Sequence, residues 1–297
     1  MAECGLTLAT GGRPMVKAAY SSGKPAYGVG AGNSTIGIDE TADIKEAACN
    51  SRISKTSDFG SGCSADGSLL IDDRIYEAMR DALIAEGGYL CNGDEKAKLE
   101  KAMWNSEGHR TIETVAIAPQ KLAQIAGFSI PADRKFIMVE QKGISKQHRF
   151  SSEKLSAVMA LFRYHGFDDA LKKVVQIYEV GGKGHSCGIY SFSDEHVARL
   201  AAVAPVSRMM VHQPQSKANA GAFNNGMPMT SSLGCGIWGG NITNENIALK
   251  HYMNVTWVSR PIPEDRPSEA ELFGEFYNTE TLGRMRRPPS RGGLGRT

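Results

Sequence analysis

The chain has 297 residues, 41% hydrophobic and 22% charged, the profile of a globular protein of one or two domains with enough apolar matter for a real core. Its 34 basic and 32 acidic residues leave a net charge of +2, too even to point to nucleic acid or an anionic membrane as partner, so a small molecule is the expected ligand. No run approaches the roughly 18 apolar residues of a membrane helix, and residues 1–5 carry no signal-peptide pattern, so a cytoplasmic location is expected.

From Leu6 onward, strand-like and helix-like patterns alternate as in an α/β protein with a parallel sheet. Leu6-Thr7-Leu8-Ala9 reads as a strand, Thr10-Gly11-Gly12 breaks it, and residues 15–20 open a helix. The cluster Tyr27-Gly28-Val29-Gly30-Ala31-Gly32-Asn33 lacks the spacing of a dinucleotide fingerprint and reads as a tight backbone turn. Ser34-Thr35-Ile36-Gly37-Ile38 is the next strand, and the acidic residues at 39–43 cap a helix through Ile44, Ala47 and Ala48. Gly67-Ser68-Leu69-Leu70-Ile71 and the helical stripe Ile75, Ala78, Met79, Ala82 and Leu83 form a strand-to-helix unit.

Downstream, Lys135-Phe136-Ile137-Met138-Val139 reads as a strand, 152–164 as a helix, 168–180 as another, Ser186-Cys187-Gly188-Ile189-Tyr190 as a strand and 194–202 as a helix. Arg208-Met209-Met210-Val211-His212 is extended, and 214–241 is a long loop of the kind that carries function. Residues 245–252 look helical, Val255-Thr256-Trp257-Val258 strand-like, and the Arg, Pro and Gly tail at 284–297 disordered.

Six cysteines without a CxxC pair exclude a disulfide framework or structural zinc site, and seven histidines without HxH or HExxH spacing leave no metal site expected. Cys63, in Gly60-Ser61-Gly62-Cys63-Ser64, has flanking glycines that let backbone N–H groups approach whatever binds the thiol, as a nucleophile requires. Cys235, in Leu233-Gly234-Cys235-Gly236, has the same setting, and composition does not separate the two. By residue type alone, His185 reads as structural and Glu153 as a carboxylate at a helix start.

Read in order, these segments resemble the acetaldehyde dehydrogenase (acylating) family, including the N-terminal half of the bifunctional aldehyde-alcohol dehydrogenases. The segments that carry the resemblance are Leu8-Ala9-Thr10-Gly11-Gly12 with Met15-Val16-Lys17-Ala18-Ala19-Tyr20, Gly28-Val29-Gly30-Ala31-Gly32-Asn33, Ser54-Lys55-Thr56 with Cys63, Glu153-Lys154-Leu155-Ser156, Gly184-His185, and Leu233-Gly234-Cys235-Gly236 with Trp238-Gly239-Gly240-Asn241. The resemblance implies an aldehyde dehydrogenase-like catalytic domain with a parallel-rich sheet, plus a remnant of the Rossmann-type cofactor domain.

It further implies Cys63 as the nucleophile that becomes a thioester, Thr10, Gly11 and Gly12 near the nicotinamide end of NAD or NADP, Glu153 on the nicotinamide ribose, and Cys235 as a structural neighbour. Hydrolytic relatives carry a water-activating glutamate 34 positions before the nucleophile. Here that position is Val29, so CoA is the expected acyl acceptor. Arg149, Arg208 and His212 add positive charge to segments expected near the acyl pocket, which suits an anionic aldehyde such as sulfoacetaldehyde as well as acetaldehyde. Ser57 and Phe59 depart from the family's usual residues, and its oxyanion-stabilising asparagine has no counterpart before Leu6.

The domains expected are 1–38, the end of a cofactor-binding domain lacking most of its N-terminal part; 39–235, the cysteine domain; 236–262, a return segment and oligomerisation strand; and 263–297, a tail. A homo-oligomer is implied. The alternative reading is a non-catalytic remnant that serves as an oligomerisation or binding module.

Overall fold

The computed structural model describes residues 1–277, so the tail expected at 284–297 lies outside the described residues. The chain divides into Met1–Met253 and a second unit beginning at Asn254. The first unit starts with a small βαβ element: β1 (Thr7–Thr10) and β2 (Ala26–Val29) pair in parallel, with α1 (Arg13–Tyr20) between them. Pro14 presets the first turn of α1, and Val16 and Ala19 are buried. Thus the glycine cluster read as a turn opens with a strand.

The main body is a seven-stranded sheet in the order β5-β6-β7-β4-β3-β8-β9, every pair parallel. In chain order its elements are β3 (Thr35–Ile38), α2 (Ile44–Thr56), β4 (Ser68–Asp72), α3 (Tyr76–Ala85), β5 (Gly88–Leu90), α4 (Gly93–Met103), α5 (Pro119–Ala126), β6 (Phe136–Glu140), β7 (Val158–Tyr164), α6 (Phe167–Val180), β8 (Cys187–Tyr190), α7 (Asp194–Val203) and β9 (Met209–Val211). Local chemistry starts the helices where they start. Asp43 accepts from the Lys45 and Glu46 amides ahead of α2, Asn92 and Glu95 form a capping box on α4, and Ser193 caps α7.

Alternation along each strand builds a core on both faces. Leu69 and Ile71 of β4 join Ile36, Ile38, Met138 and Leu161 on the face that α2 and α3 cover. Leu70 joins Ile137, Val139, Val158 and Phe162 on the other, with Ala170, Val174 and Ile177 of α6.

The helix expected at 152–164 is instead an irregular stretch followed by β7. Val158-Met159-Ala160-Leu161-Phe162 is buried on both faces between β4 and β6, and such a continuous apolar run has no period to tell strand from helix. Strand β5 and helices α4 and α5 were not anticipated. The helix expected at 245–252 is one 3-10 turn, Leu249–Tyr252, and 255–258 is not a strand. Within residues 254–277, Glu269–Phe273 is helical behind a Ser268/Glu271 capping box.

Leu161→Ala empties a fully buried site in β7 and is expected to cost about 2–5 kcal/mol in denaturant unfolding. Arg163→Ala, whose surface ion pair to Asp73 measures 2.5 Å, is expected to cost under about 1 kcal/mol.

Candidate active site

Because β7, β4, β3 and β8 are parallel neighbours, the segments that lead into them meet at one edge of the sheet. Gly32 and Asn33 precede β3, Cys63 precedes β4, Glu153 precedes β7 and His185 precedes β8. The site therefore sits at the amino ends of the strands, opposite the carboxyl-end crevice that open α/β sheets usually employ.

The Cys63 loop follows α2 under strain. Asp58 and Phe59 hold left-handed conformations (φ 48° and 51°) that residues with a Cβ seldom adopt. Next comes Gly60 (φ 68°), where a Cβ would stand 2.5 Å from Ser156 O, so only glycine fits. Cys63 Sγ lies 3.0 Å from His185 Nε2, and His185 Nδ1 is 2.8 Å from Ser186 Oγ. Gly32 lies against the Cys63 loop so closely that a Cβ there would be 2.0 Å from Cys63 O. Glu153 Oε1 accepts from Gly32 N at 3.1 Å and so joins the same edge.

Burial governs the charges here. The Cys63 thiol is pushed up to about 11 by desolvation, with the Glu153 and Cys235 charges adding to it. Desolvation pulls His185 down to about 3, assisted by the Arg208 guanidinium, so the imidazole is neutral at physiological pH. Desolvation raises Glu153 to about 7, against the opposing pull of the Gly32 amide and of Lys154, Lys55 and Arg110. In the resting chain the thiol is thus protonated beside a neutral imidazole whose two ring nitrogens face Cys63 Sγ and Ser186 Oγ.

The two candidate thiols differ. Cys63 is half-buried beside an imidazole. Cys235 is fully buried; its amide donates to Asn241 Oδ1 at 2.9 Å, and Gly239 passes so close that a Cβ would meet Cys235 Cβ at 2.3 Å. Arg208 is buried with them: Nη1 donates to His185 O at 3.0 Å, Nη2 to Gly234 O at 2.6 Å, and Nε has no partner among the described residues.

Arg149 and His212 engage other groups. Arg149 Nη2 donates to Ser106 O at 3.4 Å, while His212 sits 3.0 Å from Glu46 Oε2 and 2.8 Å from Ser191 O. Thr10, Gly11 and Gly12 form the β1-to-α1 turn, tied to the long loop by Thr10 Oγ1 and Ser232 Oγ at 2.9 Å. Val29 is buried hydrocarbon in β2. A cleft of about 590 Å³ runs beside Gly30 and Ala31 and is lined by Arg13, Lys17, Lys146 and Lys183 together with Tyr20 and Trp238.

No family model matches the chain. It is 44% identical over 280 residues to a sulfoacetaldehyde dehydrogenase of Acholeplasma sp, covering 93% of this chain and 58% of that protein. It is 37% identical over 279 residues to the sulfoacetaldehyde dehydrogenase (acylating) of Cupriavidus necator, covering 93% and 56%. An acetylating aldehyde dehydrogenase from Geobacillus thermoglucosidasius superposes with a TM-score of 0.82 at 36% identity, over 88% of this chain and 58% of that one. The chain belongs to the acylating aldehyde dehydrogenase family. It spans a little over half the length of these relatives.

From sequence, His185 reads as structural ahead of a substrate contact. The signal that finds it is topological: Gly184-His185 stands just before β8, as Cys63 stands before β4, and parallel strands bring the two together.

Gly32→Ala is expected to drive the Cys63 loop from His185 and lower stability by roughly 1–3 kcal/mol, read by denaturant unfolding and by the alkylation rate of Cys63. Gly62→Ala, with no atom within 4 Å, is expected to leave stability within about 0.5 kcal/mol.

Proposed function

We propose that this chain carries the thioester chemistry of a cytoplasmic, homo-oligomeric oxidoreductase that converts a small aldehyde and CoA to an acyl-CoA. The observation that carries the proposal is the Cys63 thiol 3.0 Å from a neutral His185 imidazole at a shared strand edge. Departure of the thiol proton to His185 Nε2 leaves sulfur free to add to the aldehyde carbonyl. Loss of hydride from that adduct leaves the acyl group on Cys63 as a thioester. His185 releases that first proton to solvent; the CoA thiol then gives its own proton to the neutral imidazole, its sulfur takes the acyl carbon, and Cys63 leaves as thiolate and takes the proton back from His185. Val29 in place of a carboxylate favours the thiol over water as acceptor.

A nicotinamide dinucleotide, when bound, supplies the hydride acceptor. The residues fit such a group: Gly11 and Gly12 leave bare backbone between Thr10 of β1 and the start of α1 for the nicotinamide end. Glu153 offers a carboxylate for the ribose, and four basic side chains line the cleft beside Gly30. NAD and NADP both fit this reading.

The substrate favoured is an anionic aldehyde of the sulfoacetaldehyde class, with acetaldehyde the alternative. Arg208 supports it, since its positive charge reaches Cys63 and Cys235 and its Nε has no partner among the described residues. The homo-oligomer is supported by the exposed Val255, Trp257, Val258 and Ile262. No helix among the described residues is long and apolar enough to cross a membrane. A second reading, a non-catalytic binding module, draws on the Cys63 thiol being held protonated at about 11.

Cys63→Ser is expected to abolish aldehyde- and CoA-dependent NADH formation by the purified chain, with a loss of at least about 10⁴-fold. Retained formation in that variant contradicts the assignment. Absence of NAD⁺ binding to the unmodified chain in calorimetric titration favours the binding module.

A further inference from the structure

Behind the thiol lies a set of buried charges that the reaction above does not employ. Lys55 and Lys154 are each 1% exposed, and both line a closed space of about 10 Å³ also bounded by Cys63 and Glu153, room for roughly one water molecule. Lys154 Nζ donates to Ser152 O at 2.8 Å. Lys55 faces the charges of Asp66, Glu153 and Arg110.

A buried cation is costly, and an apolar side chain of similar volume usually serves packing as well or better. Position supplies the reason for a charge. Lys55 lies in the last turn of α2, at the stem of the Cys63 loop, and its carbonyl lies 2.9 Å from where a Cβ on Gly60 would stand. Across the cavity, Glu153 holds the Gly32 amide, and Gly32 abuts Cys63.

We propose that Lys55 is a positioning residue: its buried ammonium keeps Glu153 as a carboxylate seated on the Gly32 amide, and through that carboxylate restrains the reactivity of Cys63 in the resting chain. The proposal rests on Cys63 being the reactive thiol of this site.

The groups that bear on the restraint are Lys154, Lys55, Arg110 and the Gly32 amide around Glu153, and Glu153, Cys235, Arg208 and His185 around Cys63. Their signs give a diagnostic. Without the Lys55 charge, Glu153 holds its proton to higher pH, the negative neighbour of Cys63 fades near neutrality, and the thiol ionises more readily. Direct loss of a cation beside a thiol acts in the opposite sense.

The test is the rate of Cys63 alkylation by iodoacetamide on the full chain, followed by mass spectrometry of the Cys63 peptide from about pH 6 to about pH 9. It needs no aldehyde, CoA or nicotinamide, so its failure is separate from failure of the oxidoreductase reading. Lys55→Met and Glu153→Gln are each expected to raise the rate about threefold or more near pH 7, the effect of half a pH unit in a titration midpoint. The double variant is expected to be no faster than Glu153→Gln alone, because the effect passes through Glu153.

Slower alkylation in Lys55→Met, or an acceleration by Lys55→Met that persists in full on the Glu153→Gln background, overturns the proposal. Should Lys55→Met fail to fold, Glu153→Gln decides alone, since an unchanged or slower rate there removes the restraint on which the proposal depends.

Discussion

Parallel pairing of β7, β4, β3 and β8 holds Ser68 opposite both Thr35 and Ala160, and Thr35 opposite Cys187. The chain before each strand must therefore arrive at the same edge, and those arrivals carry Glu153, Cys63, Gly32 and His185. Four backbones can converge there only where side chains are absent. Gly32 and Gly60 meet the requirement around Cys63, and Gly184 and Gly239 meet it around Cys235. Replacing the parallel order with an antiparallel one would send half of these residues to the far edge.

Low dielectric then decides what the assembled groups can do. Burial favours the neutral form of every one of them, pushing the thiol and the carboxylate up and the imidazole and the lysines down. The thiol and the imidazole rest neutral while Glu153 and Lys55 are brought to about 7 and about 8, so small electrostatic changes at one group carry to the next. A thiol held this way becomes reactive only when its neighbours rearrange.

Much of this was legible in the sequence, and the exceptions have physical causes. Strands β3, β4, β6 and β8 and helices α2, α3, α6 and α7 announce themselves through caps and through apolar period. β7 does not, because a strand covered on both faces has no alternation, and the polar residues at 152–156 before it imitate a helix start. Cys63 and Cys235 have matching glycine settings and are told apart only by what reaches them, an imidazole in one case and a sealed backbone loop in the other. Lys55 and Lys154 look like solvated charges in the sequence, and nothing in residue type says that both are buried beside a thiol.

The central claim, that Cys63 is the acyl-bearing atom of this edge, can be tested without oxidation chemistry, because thioester exchange needs only the thiol and an acyl-CoA. Incubation of the chain with acetyl-CoA, followed by peptide mass spectrometry, is predicted to place one acetyl group on Cys63, removable by excess CoA. Acetylation at Cys235 instead, or none on either cysteine while Cys63 remains alkylatable, contradicts the account.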